Sequence, residues 1–158
     1  DALPIFRMVA AFEISGIVGM LVAGWATDRF FGGRGPRVCV ICMALATVFV
    51  ALFWGISQPP MWLATLLLGA AGFCIYGPQA LVGIAAANIA TKKAAATAVG
   101  FTGLFGYAST LVSGWGLGLL AQHYGWNIAV GALILIAIMG TLIFMAAWSA
   151  KANGYDND

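Results

Sequence analysis

The sequence predicts an all-α integral membrane protein with five transmembrane helices. Three observations predict it. First, 63% of the 158 residues are hydrophobic and only 8% are charged, with a mean hydropathy of +0.99. A soluble domain carries roughly 25% charged residues, so this chain has too few to cover a water-facing surface. Second, the charges gather in short clusters between long apolar runs. Third, each run falls in or above the range of about 17–25 residues that crosses a bilayer as a helix.

The stretch Gly24 to Arg37 orients the rest. It holds Asp28 and three of the seven basic residues, Arg29, Arg34 and Arg37. Charge this dense between two apolar runs sits in water at a membrane surface. The excess of Arg assigns it to the cytoplasmic side, where Lys and Arg collect.

The first span is expected over 5–27. Gly16, Gly19 and Gly24, with Ser15 and Ala23, provide small residues that let helices approach closely in lipid. Pro36 opens the second span, 38–55, because a first helical turn has no use for the missing N–H. The next loop, Ser57-Gln58-Pro59-Pro60, is uncharged and reads as external. The third span, 61–89, contains Gly77-Pro78, where loss of a backbone hydrogen bond predicts a kink. Thr91-Lys92-Lys93 forms a second basic loop.

The fourth span, 97–121, carries Gly100, Gly103, Gly106, Gly114, Gly116 and Gly118. Tight helix packing explains such a run, and so does a helix that bends during a conformational cycle. Gln122 to Trp126 makes an outer turn, and the fifth span covers 127–148. Lys151 and a polar tail to Asp158 follow. Asp1 outside and Asp158 inside then place all three basic clusters on one side. The chain has no initiating Met and no signal peptide, and it reads as a piece of a longer protein.

Several function classes are excluded. A net charge of +2 with no basic-aromatic surface argues against nucleic acid. Cys39, Cys42 and Cys74 lie in apolar runs; the lone Cys39-Val40-Ile41-Cys42 pair has no second pair or His beside it, so packing is the expected role. His123 is single and interfacial. There is no Ser-His-Asp set, paired catalytic carboxylates or phosphate-cradling loop, so neither an enzyme nor a metal or cofactor site is expected.

Three residues within the spans need an explanation. Glu13 sits about eight residues into the first span, roughly 12 Å deep and near the midplane. Acids there are costly and usually functional. Arg7 lies on another face, six residues or about 600° away. Glu13 is therefore an ion-pair or substrate-cavity residue with a partner outside this chain, or a protonated acid bonded to Ser, Thr or backbone groups. Tyr76 and Tyr107 are mid-span rather than interfacial. Each either lines a polar cavity or bonds a neighbouring helix. Asn88 reads as a cap or interhelical contact.

These residues resemble a known family. Gly24-x-x-x-Asp28-Arg29-x-x-Gly32-Gly33-Arg34 resembles the cytoplasmic loop signature of the major facilitator superfamily. Ala11-Phe12-Glu13-Ile14-Ser15-Gly16, the stretch Tyr76 to Gly83 and the stretch Lys92 to Tyr107 are similar to the organophosphate:phosphate antiporters. That family includes glycerol-3-phosphate and hexose-phosphate transporters and a hexose-phosphate sensor.

The resemblance implies helices eight to twelve of a twelve-helix transporter, with the N-terminal half absent. It implies exchange of an organic phosphate for inorganic phosphate in the bacterial inner membrane, with substrate near the midplane. Glu13 matches an acidic position that pairs with basic residues, and Tyr76 and Tyr107 match cavity tyrosines. The phosphate-binding arginines lie on helices outside this chain. Asp28, Arg29 and Arg34 would form a conformational latch on the inner face. The alternative within the family is a receptor that signals external sugar phosphate to a histidine kinase. One departure is Val99 and Thr102, where hexose-phosphate antiporters carry charges. That neutral pattern is similar to the glycerol-3-phosphate transporter and the sensor.

Overall fold

A computed structural model describes residues 3–56, 58–90 and 93–149. Five helices form: α1 (Leu3–Phe31), α2 (Gly35–Gly55), α3 (Met61–Ile89), α4 (Ala95–Tyr124) and α5 (Trp126–Ala146). All five are long and apolar enough to cross a membrane. No strand occurs among the described residues. The chain is an all-α integral membrane protein. Ser57, Thr91, Lys92, the tail from Lys151 to Asp158 and the starting Asp1 lie outside the described residues.

α1 runs past Thr27, so Asp28 and Arg29 are helical rather than part of a loop. Glycine, not charge, ends the helix. Gly32 and Gly33 take φ of +56° and +78°, and the Gly33 N–H reaches back to the Thr27 carbonyl at 3.1 Å. This left-handed cap satisfies a carbonyl that the helix end would leave free. Only three residues, Gly32 to Arg34, then separate α1 from α2. Pro36 stands in the first turn of α2, and Gly125, at φ +85°, turns α4 into α5. α3 continues as one helix through Gly77 and Pro78, both buried.

α3 is the centre of the bundle and packs against α1, α2 and α4. It runs alongside α1 in the same direction, since Ala11 and Ser15 face Gly69, Phe12 faces Gly72, Gly16 faces Tyr76 and Ala23 faces Gly77. Missing side chains bring the two backbones together. A Cβ on Gly72 would lie 2.5 Å from the Phe12 carbonyl oxygen, and one on Gly19 would collide with the Phe73 carbonyl. The Ser15 hydroxyl lies 2.6 Å from the Ala11 carbonyl and 2.7 Å from that of Gly69, and its proton bridges the helices. In lipid, such packing replaces the hydrophobic effect as the adhesive.

α2 and α5 are antiparallel. Arg37 meets Trp148, Met43 meets Gly140, and Trp54 Nε1–H points at Asn127 Oδ1 at 3.4 Å. Asp28, Pro36 and Asn88 line one small pocket. The ends of α1, α3 and α5 and the start of α2 therefore share one face of the bundle. Arg29, Arg34 and Arg37 lie at this face, and Lys93 follows α3 there. The core beside it is Ala23, Val38, Cys39 and Leu81, flanked by Phe31, Cys42 and Phe144. α4 buries no residue, whereas α3 buries nine.

Candidate functional site

The Glu13 carboxylate and the Tyr76 phenol meet between α1 and α3. Tyr76 Oη–H donates to Glu13 Oε2 at 2.6 Å. α1 prepares the seat for the ring. Phe12 packs edge-on, with centroids 5.8 Å apart and planes at 69°. Gly16, one turn on, leaves the room the ring fills, because a Cβ there would lie 2.5 Å from Tyr76 Cδ2. The ring is held between residues one turn apart, and its hydroxyl is aimed at Glu13. Glu13 is exposed on the bundle surface. Its depth in the span makes the phenol valuable, because a carboxylate in hydrocarbon needs every donor available. Among the described residues, the hydrogen-bond partner is a phenol of a neighbouring helix.

Tyr107 does not join this pair. It projects from α4, 78% exposed, and lines a cavity of about 550 Å³ between α3 and α4, to which Phe144 of α5 also contributes. Pro78 and Gln79 contribute from α3, and Val99, Thr102, Ser109 and Thr110 from α4. Gln79 follows Tyr76 by three residues, so the phenol and the amide share a ridge of α3. The three residues expected at the site fall into two adjoining places linked by α3. Gly77 packs under Ala23, with only 3.0 Å available for a Cβ. This explains the glycine before Pro78 as a contact between helices.

Asp28 lines the pocket at the charged face, of about 150 Å³, with Gly24, Thr27, Gly35, Pro36 and Asn88. Arg29 and Arg34 do not line it. No ion pair joins Asp28 to either among the described residues. Arg29 occupies the last turn of α1, where a cation favours the helix dipole.

Sequence reasoning missed two groups. Gln79 carried a signal, an amide within a span directly after a proline. Arg37 was read only as loop charge. It stacks over Trp148, 5.4 Å from the ring centroid, and its Nε–H points at the Trp148 carbonyl at 3.4 Å.

Comparison with curated proteins shows what the chain is similar to. The chain is 41% identical over 145 residues to a probable hexose phosphate transport protein of Chlamydia muridarum, covering 90% of this chain and 32% of the relative. It is 34% identical over 161 residues to the glycerol-3-phosphate transporter of Haemophilus influenzae, covering 89% of this chain and 34% of the relative. It is 36% identical over 142 residues to the hexose-6-phosphate:phosphate antiporter of Escherichia coli, covering 85% of this chain and 30% of the relative.

Over these residues, the chain matches the organophosphate:phosphate antiporter family.

Within that family a membrane sensor protein, UhpC of Salmonella typhimurium, matches at 32% over 145 residues, covering 91% of this chain and 33% of the relative. The chain spans about a third of the length of the curated relatives it matches. Despite the neutral Val99 and Thr102, identity is higher to the hexose-phosphate transport protein than to the glycerol-3-phosphate transporter. No family model and no solved structure matches the chain.

Proposed function

We propose that the parent protein exchanges a phosphorylated organic anion for inorganic phosphate by alternating access. This chain would supply helices eight to twelve. The reading is carried by the match, over about nine tenths of the chain, to relatives named as hexose phosphate and glycerol-3-phosphate transporters. The name of the hexose-6-phosphate:phosphate antiporter supports the counter-substrate. The bundle supports it physically. A carboxylate at membrane depth holds one phenol donor and remains open on its other side. A cation from the rest of the parent would complete that pairing, and substrate phosphate would compete for the same cation. Phosphate itself suits arginine, whose planar fork meets two oxygens at once, and such arginines would come from helices outside this chain. The basic face would lie in the cytoplasm, with the C-terminus on that side, in a bacterial inner membrane.

The test uses the full-length parent in proteoliposomes preloaded with phosphate. Labelled glycerol-3-phosphate and glucose-6-phosphate uptake are followed for the wild type and Glu13→Gln. Phosphate-dependent uptake that is lost in the variant supports exchange and a working role for Glu13. A second reading, a membrane sensor, is favoured by the match to UhpC. Tight binding of glucose-6-phosphate with negligible uptake would select it.

A further inference from the structure

Building on the exchange reading, we infer that the α3–α4 cavity holds the hydroxyl-bearing part of the organic anion, and that Gln79 determines specificity by hydrogen-bonding those hydroxyls.

The cavity, at about 550 Å³, lies within the roughly 300–1,000 Å³ of small-molecule sites. No charged side chain lines it. Its chemistry therefore suits the neutral, polar part of a ligand and not the phosphate. The departure at Val99 and Thr102 contributes to that neutrality.

Three of the four lining hydroxyls have committed protons, Tyr107 being the exception. Thr102 donates to the Val99 carbonyl at 2.9 Å, and Ser109 and Thr110 donate to that of Gly106 at 2.7 and 3.0 Å. Their oxygens are left to accept. Gln79 is exposed, lines the cavity and makes no hydrogen bond to the protein among the described residues. Its amide offers two N–H donors and a carbonyl acceptor. An amide in the middle of a span is retained where it lines a polar cavity or meets a polar partner. A wall of acceptors facing a free amide is complementary to alcohol groups, each of which both donates and accepts. A sugar phosphate presents more of them than glycerol phosphate does.

Position connects the two places. Gln79 stands one turn beyond Tyr76, which is bonded to Glu13. A ligand whose phosphate is held by the parent's cation beside Glu13 would reach Gln79 with its polar body.

The test compares uptake efficiency for glucose-6-phosphate and glycerol-3-phosphate in phosphate-loaded proteoliposomes of the full-length parent. Gln79→Leu keeps the volume and removes the hydrogen bonds. The ratio of the two efficiencies should fall by about tenfold, since a pocket built to bond hydroxyls discriminates through those bonds. An unchanged ratio in a Gln79→Leu protein that elutes as a single species in detergent would overturn the inference. Should that variant fail to fold, Gln79→Met, which also removes the amide, decides in the same way. A wild type with no phosphate-coupled uptake would sink the exchange reading alone. Titration of the parent with glucose-6-phosphate would then judge Gln79 separately. About tenfold weaker binding in Gln79→Leu supports the subsite, and equal binding overturns it.

Discussion

Tyr76 reaches across from α3 to place its hydroxyl 2.6 Å from the Glu13 carboxylate, and Gly16 makes room for the ring that does so. The pair is a unit: the glycine seats the ring and the ring aims the donor. Removing the donor should therefore act through Glu13. Tyr76→Phe is expected to slow exchange by about tenfold or more, the loss of one hydrogen bond to a charged group. In the Glu13→Gln background the same substitution should do much less. Full additivity in this double-mutant cycle, measured as uptake rates, would show that the two residues act separately.

The α1–α3 approach depends on missing side chains. Gly72→Ala and Gly19→Ala would push a methyl group into the Phe12 and Phe73 carbonyls. Each should destabilise the parent by about 1–3 kcal/mol, the usual penalty for overpacking. Gly131→Ala in α5 meets nothing within 4 Å and should be neutral or slightly stabilising. Thermal unfolding in detergent, followed by intrinsic fluorescence, distinguishes the three.

Arg37 ties the start of α2 to the end of α5 by lying over Trp148. Arg37→Ala should loosen the last turn of α5, since an exposed cation–π contact contributes about 0.5–1 kcal/mol. Arg37→Lys keeps the charge but loses the planar group that stacks, and should recover only part of the effect. Faster amide hydrogen exchange at 143–148 is the expected reading. Unchanged exchange in both variants would show that the contact does not order this turn.

Asp28 lines the pocket between the ends of α1 and α3. If it latches one state of the cycle, Asp28→Asn should slow exchange by about tenfold or more while substrate binding changes by less than about threefold, because the lost contact exists in only one of two states. Equal exchange rates for wild type and variant in vesicles would remove the latch from the mechanism.

The spans were readable because lipid imposes one requirement, a long apolar run, which composition alone displays. Their ends were less so. Asp28 and Arg29 looked like loop because they are charged, yet α1 holds them as helix until Gly32 and Gly33 supply the left-handed backbone that stops it. The depth of Glu13 was also readable, since depth is counted along a single helix. Its partner was not, because Tyr76 lies 63 residues away and the register between α1 and α3 is set by Gly16 and Gly72 only when both helices are in place. Gln79 was obscured by Pro78, whose effect on the backbone drew attention from the amide beside it. Arg37 has meaning only when α5 returns antiparallel to α2.

Two rods fastened along their length bend as a single beam that is far stiffer than either alone. The glycine contacts at 16, 19, 69 and 72 fasten α1 to α3 in this way, while α4 stands beside them without a buried residue. Glu13 and Tyr76 stand on that one beam and would travel together as a single piece in any rocking of the parent.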